Sequence, residues 1–119
     1  MENKRLYEGE ARFMDVIWGS EPVPSGKLVE LCHEKLGWKK STTYTMIKRL
    51  SDKGLVKNEN SVVTALVTRE EVQAAESSFV VEQTFAGSLP GFLVSFLGGK
   101  TISKEEAEEL KNMIDRYSE

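Results

Sequence analysis

Apolar residues recur at helical spacing along most of this chain, and one short stretch breaks the rule with β-branched residues. Between Tyr7 and Trp18, residues Phe13, Met14, Ile17 and Trp18 fall on one stripe, predicting a first helix that the two prolines and two glycines of "GSEPVPSG" then stop. Leu28, Leu31, Cys32 and Leu36 form the stripe of a second helix with Ser25 as its expected N-cap. "Gly37-Trp38-Lys39-Lys40" breaks that helix, and a third follows with Ser41 as the expected N-cap and Gly54 as its stop. "LVKN" and "VVTAL" flank the turn-like "ENS", which predicts a short two-stranded hairpin.

Beyond the hairpin the period is helical again. Thr68 with Glu71, and Ser103 with Glu106, carry the T/S-x-x-E spacing of a capping box, opening one helix toward Phe85 and a final helix near the C-terminus. In the final helix Ala107, Leu110, Ile114 and Tyr117 make an apolar seam, while Leu89, Phe92, Leu93, Phe96 and Leu97 crowd the segment between "AGSLPG" and "LGGK". Together with Phe79, this is more apolar surface than a short tail can bury alone. Two readings stand: a helical cap packed on the first domain, or a dimer interface formed by Phe79, Leu89, Phe92, Leu93, Phe96, Leu110, Ile114 and Tyr117.

In the third helix the pattern divides the residues by chemistry. Thr43, Met46, Ile47 and Leu50 lie on one side, Thr42, Thr45, Arg49 and Asp52 on the other, with Tyr44 and Lys48 on a flank. Threonine hydroxyls in a first helical turn suit base edges in a major groove, and long basic residues farther along suit phosphates. Two helices, a tight break, a basic third helix and a hairpin describe a winged helix-turn-helix. The expected fold is therefore mainly α with a small β-hairpin: a winged helix-turn-helix domain over residues 1–68, followed by a helical dimerisation domain over residues 69–119.

Charge sharpens this reading. The 119-residue chain has a formal net charge of -3, yet up to Thr68 it holds 11 Lys and Arg against 9 Asp and Glu, whereas the remainder holds 5 against 10. Between Lys35 and Lys57, seven basic residues face only Asp52, a local balance of +6. Such a cluster on an acidic molecule is either the footprint of a polyanion or a solvated face. An apolar content of 39% with 29% charged residues fits an ordinary globular chain. The N-terminal "MENKRLYEGEARF" has no apolar run, and no segment approaches a membrane span, so membrane insertion is not expected and the cytoplasm is.

Enzyme chemistry finds little to stand on. His33 beside Cys32 is the one adjacent His/Cys pair, and neighbours on a helix diverge by about 100°. Cys32 reads as core, no metal or other cofactor is expected, and a single histidine supports no nucleophile-base set.

The stretch "WKKSTTYTMIKRLSDKGLV" also resembles the recognition-helix signature of the penicillinase-repressor family, in which a Thr-x-Tyr or Thr-x-Trp turn precedes a Leu-x-Arg-Leu-x-x-Lys-Gly run; the matching positions are Thr42, Tyr44, Arg49, Leu50, Lys53 and Gly54. "EARFMDVIW", "ALVTREEVQAAES", "FAGSLPGFLVSF" and "ISKEEAEELKNMI" continue the likeness over nearly the whole chain. The resemblance implies a homodimeric repressor bound to a pseudo-palindromic double-stranded DNA operator. It assigns operator contact to Thr42, Thr43, Thr45, Arg49 and Lys53, and Lys39, Lys40, Ser41, Lys48 and Lys57 complete the candidate set. It further implies release by a membrane sensor protease cutting between Ser95 and Phe96, where the family pattern has asparagine before phenylalanine. The wing is shorter than is usual in the family, and the cysteine-rich ending of its copper-responsive branch is missing past Cys32. A winged-helix module that binds a protein instead of DNA is the competing reading.

Overall fold

The computed structural model describes residues 6–119; the first five residues, "MENKR", part of the N-terminal stretch read above, lie outside them. The order of elements is α1 (Glu8–Ser20), β1 (Val23–Pro24), α2 (Ser25–Leu36), α3 (Lys40–Asp52), β2 (Val56–Glu59), β3 (Val62–Ala65), α4 (Arg69–Phe85), α5 (Leu89–Leu97) and α6 (Lys104–Tyr117). The chain divides into two compact units, one reaching to Val80 and the other Val81–Glu119, so the changeover falls inside α4.

The first unit is a winged helix. Phe13, Met14 and Ile17 of α1 meet Leu28 and Cys32 of α2, Met46, Ile47 and Leu50 of α3, and Leu55, Val56 and Val63 of the sheet in one apolar core. Trp38 closes its edge, stacked on Phe13 with ring centroids 5.6 Å apart. Burial of this stripe, at roughly 25 cal/mol per Å² of apolar area, is what holds helices of only 12 and 13 residues together.

Helix starts differ from expectation by one residue in α2 and two in α3. Ser25 is the first helical residue of α2 and not its cap; its buried hydroxyl sits 3.4 Å from Tyr44 Oη, which donates to it. Likewise α3 begins at Lys40, one residue before the expected cap Ser41, with Lys39 in the capping position and no side-chain cap bond. Its other end closes as a Schellman motif: Leu55 N donates to Leu50 O at 2.9 Å and Gly54 N to Ser51 O at 3.0 Å. Gly54 sits at φ 78, where a side chain would be strained.

The hairpin is part of a three-stranded antiparallel sheet, ordered β1-β3-β2. Val56, Lys57, Asn58 and Glu59 pair with Ala65, Thr64, Val63 and Val62. The two-residue turn Asn60–Ser61 has positive φ at both positions, as a primed hairpin turn requires. The third strand, Val23 and Pro24 paired with Val63 and Val62, was not expected. Two residues ending in proline leave no alternation to read, and proline is tolerated at a sheet edge.

Beyond the hairpin the first capping box forms in full and the second through its serine alone. Thr68 Oγ1 accepts from Glu71 N at 3.0 Å while Glu71 Oε1 accepts from Thr68 N at 2.9 Å. Just before this helix Trp18 Nε1 donates to Val67 O at 3.0 Å, and Arg69 pairs with Asp15 while lying over the Trp18 ring. At α6, Ser103 Oγ accepts from Glu106 N at 3.0 Å.

The second unit is built from the end of α4 with α5 and α6. Phe92 lies edge-on to Phe85 and stacks on Phe96, with Lys100 over the Phe96 ring. Among the described residues, none in α5 or α6 is buried. No single helix among them is long and apolar enough to cross a membrane.

Because Leu50 is wholly buried where α3 meets α1, α2 and the sheet, Leu50→Ala should lower the unfolding free energy of the first unit by about 2–5 kcal/mol, measured by urea denaturation followed by circular dichroism.

Candidate nucleic-acid interface

The spacing of apolar residues in α3 determines which side chains remain available. Thr43, Met46, Ile47 and Leu50 are buried, while Ser41, Thr42, Tyr44, Thr45, Lys48, Arg49 and Asp52 are exposed. The exposed side therefore presents hydroxyls in the first turns and a guanidinium toward the far end. Lys39 and Lys40, exposed at the helix start, extend the same positive edge.

Thr43 does not belong to this surface. Its place three and four residues before Met46 and Ile47 puts it on the packed stripe, with no solvent exposure, which removes it from the candidate contacts. Its Oγ1 has no hydrogen bond of ordinary geometry. The neighbouring Cys32 thiol, itself buried in the core, is pushed above its usual pKa by desolvation, with the Thr43 hydroxyl pulling the other way.

The basic cluster is more divided than its count implies. Lys48 pairs with Asp52 one turn along (3.4 Å), Lys57 with Glu59 two residues on in the same strand (3.6 Å), and Lys53 with Glu10 of α1 (3.1 Å). Lys35, Lys39, Lys40 and Arg49 make no ion pair among the described residues. The exposed pairs Lys48–Asp52 and Lys57–Glu59 are weak and open to exchange for phosphate. Lys53 differs, because Glu10 has only 2% of its side chain exposed.

Glu10 is the residue the sequence reading missed. Its signal was present: Glu10 precedes Phe13, Met14 and Ile17 by three, four and seven positions, an acid on an apolar stripe.

The wing is held back toward α2. Ser25 N donates to Ser61 O at 2.8 Å, so the turn that would form the wing tip is anchored at the start of α2. It offers Glu59, Asn60 and Ser61, with Lys57 already paired. His33, beside Cys32, is exposed, its Nδ1 3.3 Å from Trp38 O, while Cys32 points into the core.

The candidate pairing residues show a different kind of surface. Leu89, Phe96, Leu110, Ile114 and Tyr117 are exposed, Phe96 and Ile114 each by 55%, and Phe92 and Leu93 are half-buried. Phe79, in the part of α4 that belongs to the first unit, is also exposed. Ser95 and Phe96, the candidate cleavage pair, are exposed near the end of the nine-residue α5.

Known proteins match this sequence along nearly its whole length. The methicillin resistance regulatory protein MecI of Staphylococcus aureus strain Mu50 is 25% identical over 122 residues, covering 98% of this chain and 99% of that protein. MecI of Mammaliicoccus sciuri is 24% identical with the same coverage, and the penicillinase repressor of Bacillus licheniformis is 21% identical over 117 residues, covering 95% of this chain and 91% of that protein. The sequence profile of the penicillinase repressor family matches residues 6–116. The chain is therefore a member of the penicillinase repressor family, a transcriptional repressor on a winged-helix scaffold and not an enzyme.

Proposed function

We propose that this protein represses transcription in the cytoplasm by binding a pseudo-palindromic double-stranded DNA operator as a homodimer, with residues 1–68 on the DNA and residues 69–119 pairing the subunits. The observation that carries the reading is the free side of α3. Its apolar stripe is consumed by the core, and what faces outward is Thr42, Thr45, Lys48 and Arg49, with Ser41, Lys39 and Lys40 at the leading end. In a major groove, Thr42 and Thr45 would meet base edges and thymine methyls, while Arg49 and the lysines would meet phosphates and fix the register. The anchored wing tip carries no basic residue, which leaves Lys57 as the wing's sole basic candidate.

Pairing of subunits rests on the second unit. Leu89, Val94 and Phe96 on α5 and Leu110 and Ile114 on α6 are all exposed, Val94 by 75%, and apolar side chains in this number are costly to leave in water. A single α3 offers too few contacts for the affinities usual at specific sites, and a dimer would set two of them on half-sites about 10 base pairs, or a multiple, apart. Release by a membrane sensor protease cutting between Ser95 and Phe96 fits the same scheme. The bond lies one turn before Gly98 and Gly99, at the fraying end of a short helix, and cutting it separates α6 from the rest. Loss of pairing would then forfeit on the order of 10²- to 10⁴-fold in apparent affinity.

Arg49→Ala should weaken binding to every duplex and reduce the log–log salt slope by about 1, whereas Thr42→Ala should cost roughly 1–3 kcal/mol on the specific site and little on random DNA. Gel shifts over a salt series measure both; unchanged binding in both variants would point to the protein-interaction reading. For the pairing surface, Leu110→Glu or Ile114→Glu should give monomers in sedimentation with the winged helix still folded by circular dichroism. A chain ending at Ser95 should behave in the same way and lose operator affinity; a truncated chain that still dimerises and binds fully would refute release by cleavage.

A further inference from the structure

Lys53 sits in the signature that assigns it to DNA, yet its surroundings describe another task. We propose that Lys53 is an internal strut that positions α3 through Glu10, and not a DNA contact. Its Nζ lies 3.1 Å from Glu10 Oε1 and 5.6 Å from the centre of the Tyr7 ring. The same Glu10 oxygen accepts from Tyr7 N at 3.1 Å, so one carboxylate caps the N-terminus of α1 and binds the C-cap residue of α3.

Burial makes this arrangement hard to exchange. Glu10 is 2% exposed and the Lys53 side chain 23%, unlike the Lys48 and Lys57 pairs, whose members are all at least half exposed. If Lys53 turned outward to a phosphate, an ionised carboxylate would be left in the core without its cation, and an uncompensated buried charge is heavily penalised. A phosphate contact at Lys53 would therefore work against the fold that presents α3. One residue before Tyr7, Leu6 N donates to Glu76 Oε1 at 3.1 Å, which ties the same corner to α4. The start of α1 and the end of α3 thus meet at Glu10, with the middle of α4 tied to the adjoining Leu6, and the angle at which α3 carries Thr42 outward depends on this corner.

This inference rests on the DNA-binding reading, and its test separates the two. Reductive methylation of the wild-type protein, read by mass spectrometry with and without a random-sequence duplex at low salt, should find Lys53 slow to react in the free protein and unchanged by DNA. Lys39 and Lys40 should become protected. In gel shifts on a duplex selected from a random pool, Lys53→Met and Glu10→Gln should each weaken binding without changing the salt slope. The double variant should lose no more than the weaker-binding single one, and Lys53→Arg, which keeps the ion pair, should retain wild-type affinity. A slope lower by about 1 in Lys53→Met, tighter binding in Glu10→Gln, or new protection of Lys53 by the duplex would overturn the proposal. Should the single variants fail to fold, the methylation of the wild-type chain decides alone. Arg49→Ala serves as the control: if its slope matches wild type and no lysine is protected, the DNA-binding reading fails, whereas the strut fails only on the Lys53 and Glu10 results.

Discussion

The seating of α3 by one apolar stripe is the constraint on which the molecule depends. A helix of 13 residues cannot hold itself in water, so Thr43, Met46, Ile47 and Leu50 must be covered, and α1, α2 and the sheet supply the cover. Covering that side commits the opposite side to solvent. The same packing that stabilises the first unit therefore determines which of the hydroxyls and bases of α3 can meet a partner.

The two units solve the problem of apolar surface differently. The first gathers its large aliphatic and aromatic residues into a single core, closed by Trp38 on Phe13 and by Trp18 under Arg69. The second has a ladder of three phenylalanines but leaves much of α5 and α6 open. Apolar side chains left in water at this density are costly to keep there.

Charge in the first unit serves two ends that composition cannot separate. Lys39, Lys40 and Arg49 stand in water and add to the field seen by a polyanion. Lys53 is spent inside the molecule on Glu10, where the low exposure of the carboxylate makes the pair a matter of geometry more than of net charge. Seven basic residues in a row of 23 positions thus overstate the surface available to DNA.

Much of this was legible in the linear chain, because helix periodicity, capping boxes and primed turns are local: the stripe of α3, the Thr68–Glu71 box and the stop at Gly54 each follow from residues within a few positions of one another. The family signature in α3 and its continuation to the last helix were equally open to reading. What the sequence alone left undetermined depends on residues far apart in the chain. Val23 and Pro24 become a strand only because Val62 and Val63 lie alongside, and Ser25 is a helical residue whose hydroxyl serves Tyr44 because α3 crosses there. Thr43 and Lys53 look like the other members of a basic, hydroxyl-rich segment until the fold puts one in the core and sets the other against an acid 43 residues away. Local propensity acts through neighbours along the chain, whereas burial and ion pairing act through neighbours in space, and only the packed structure brings those together.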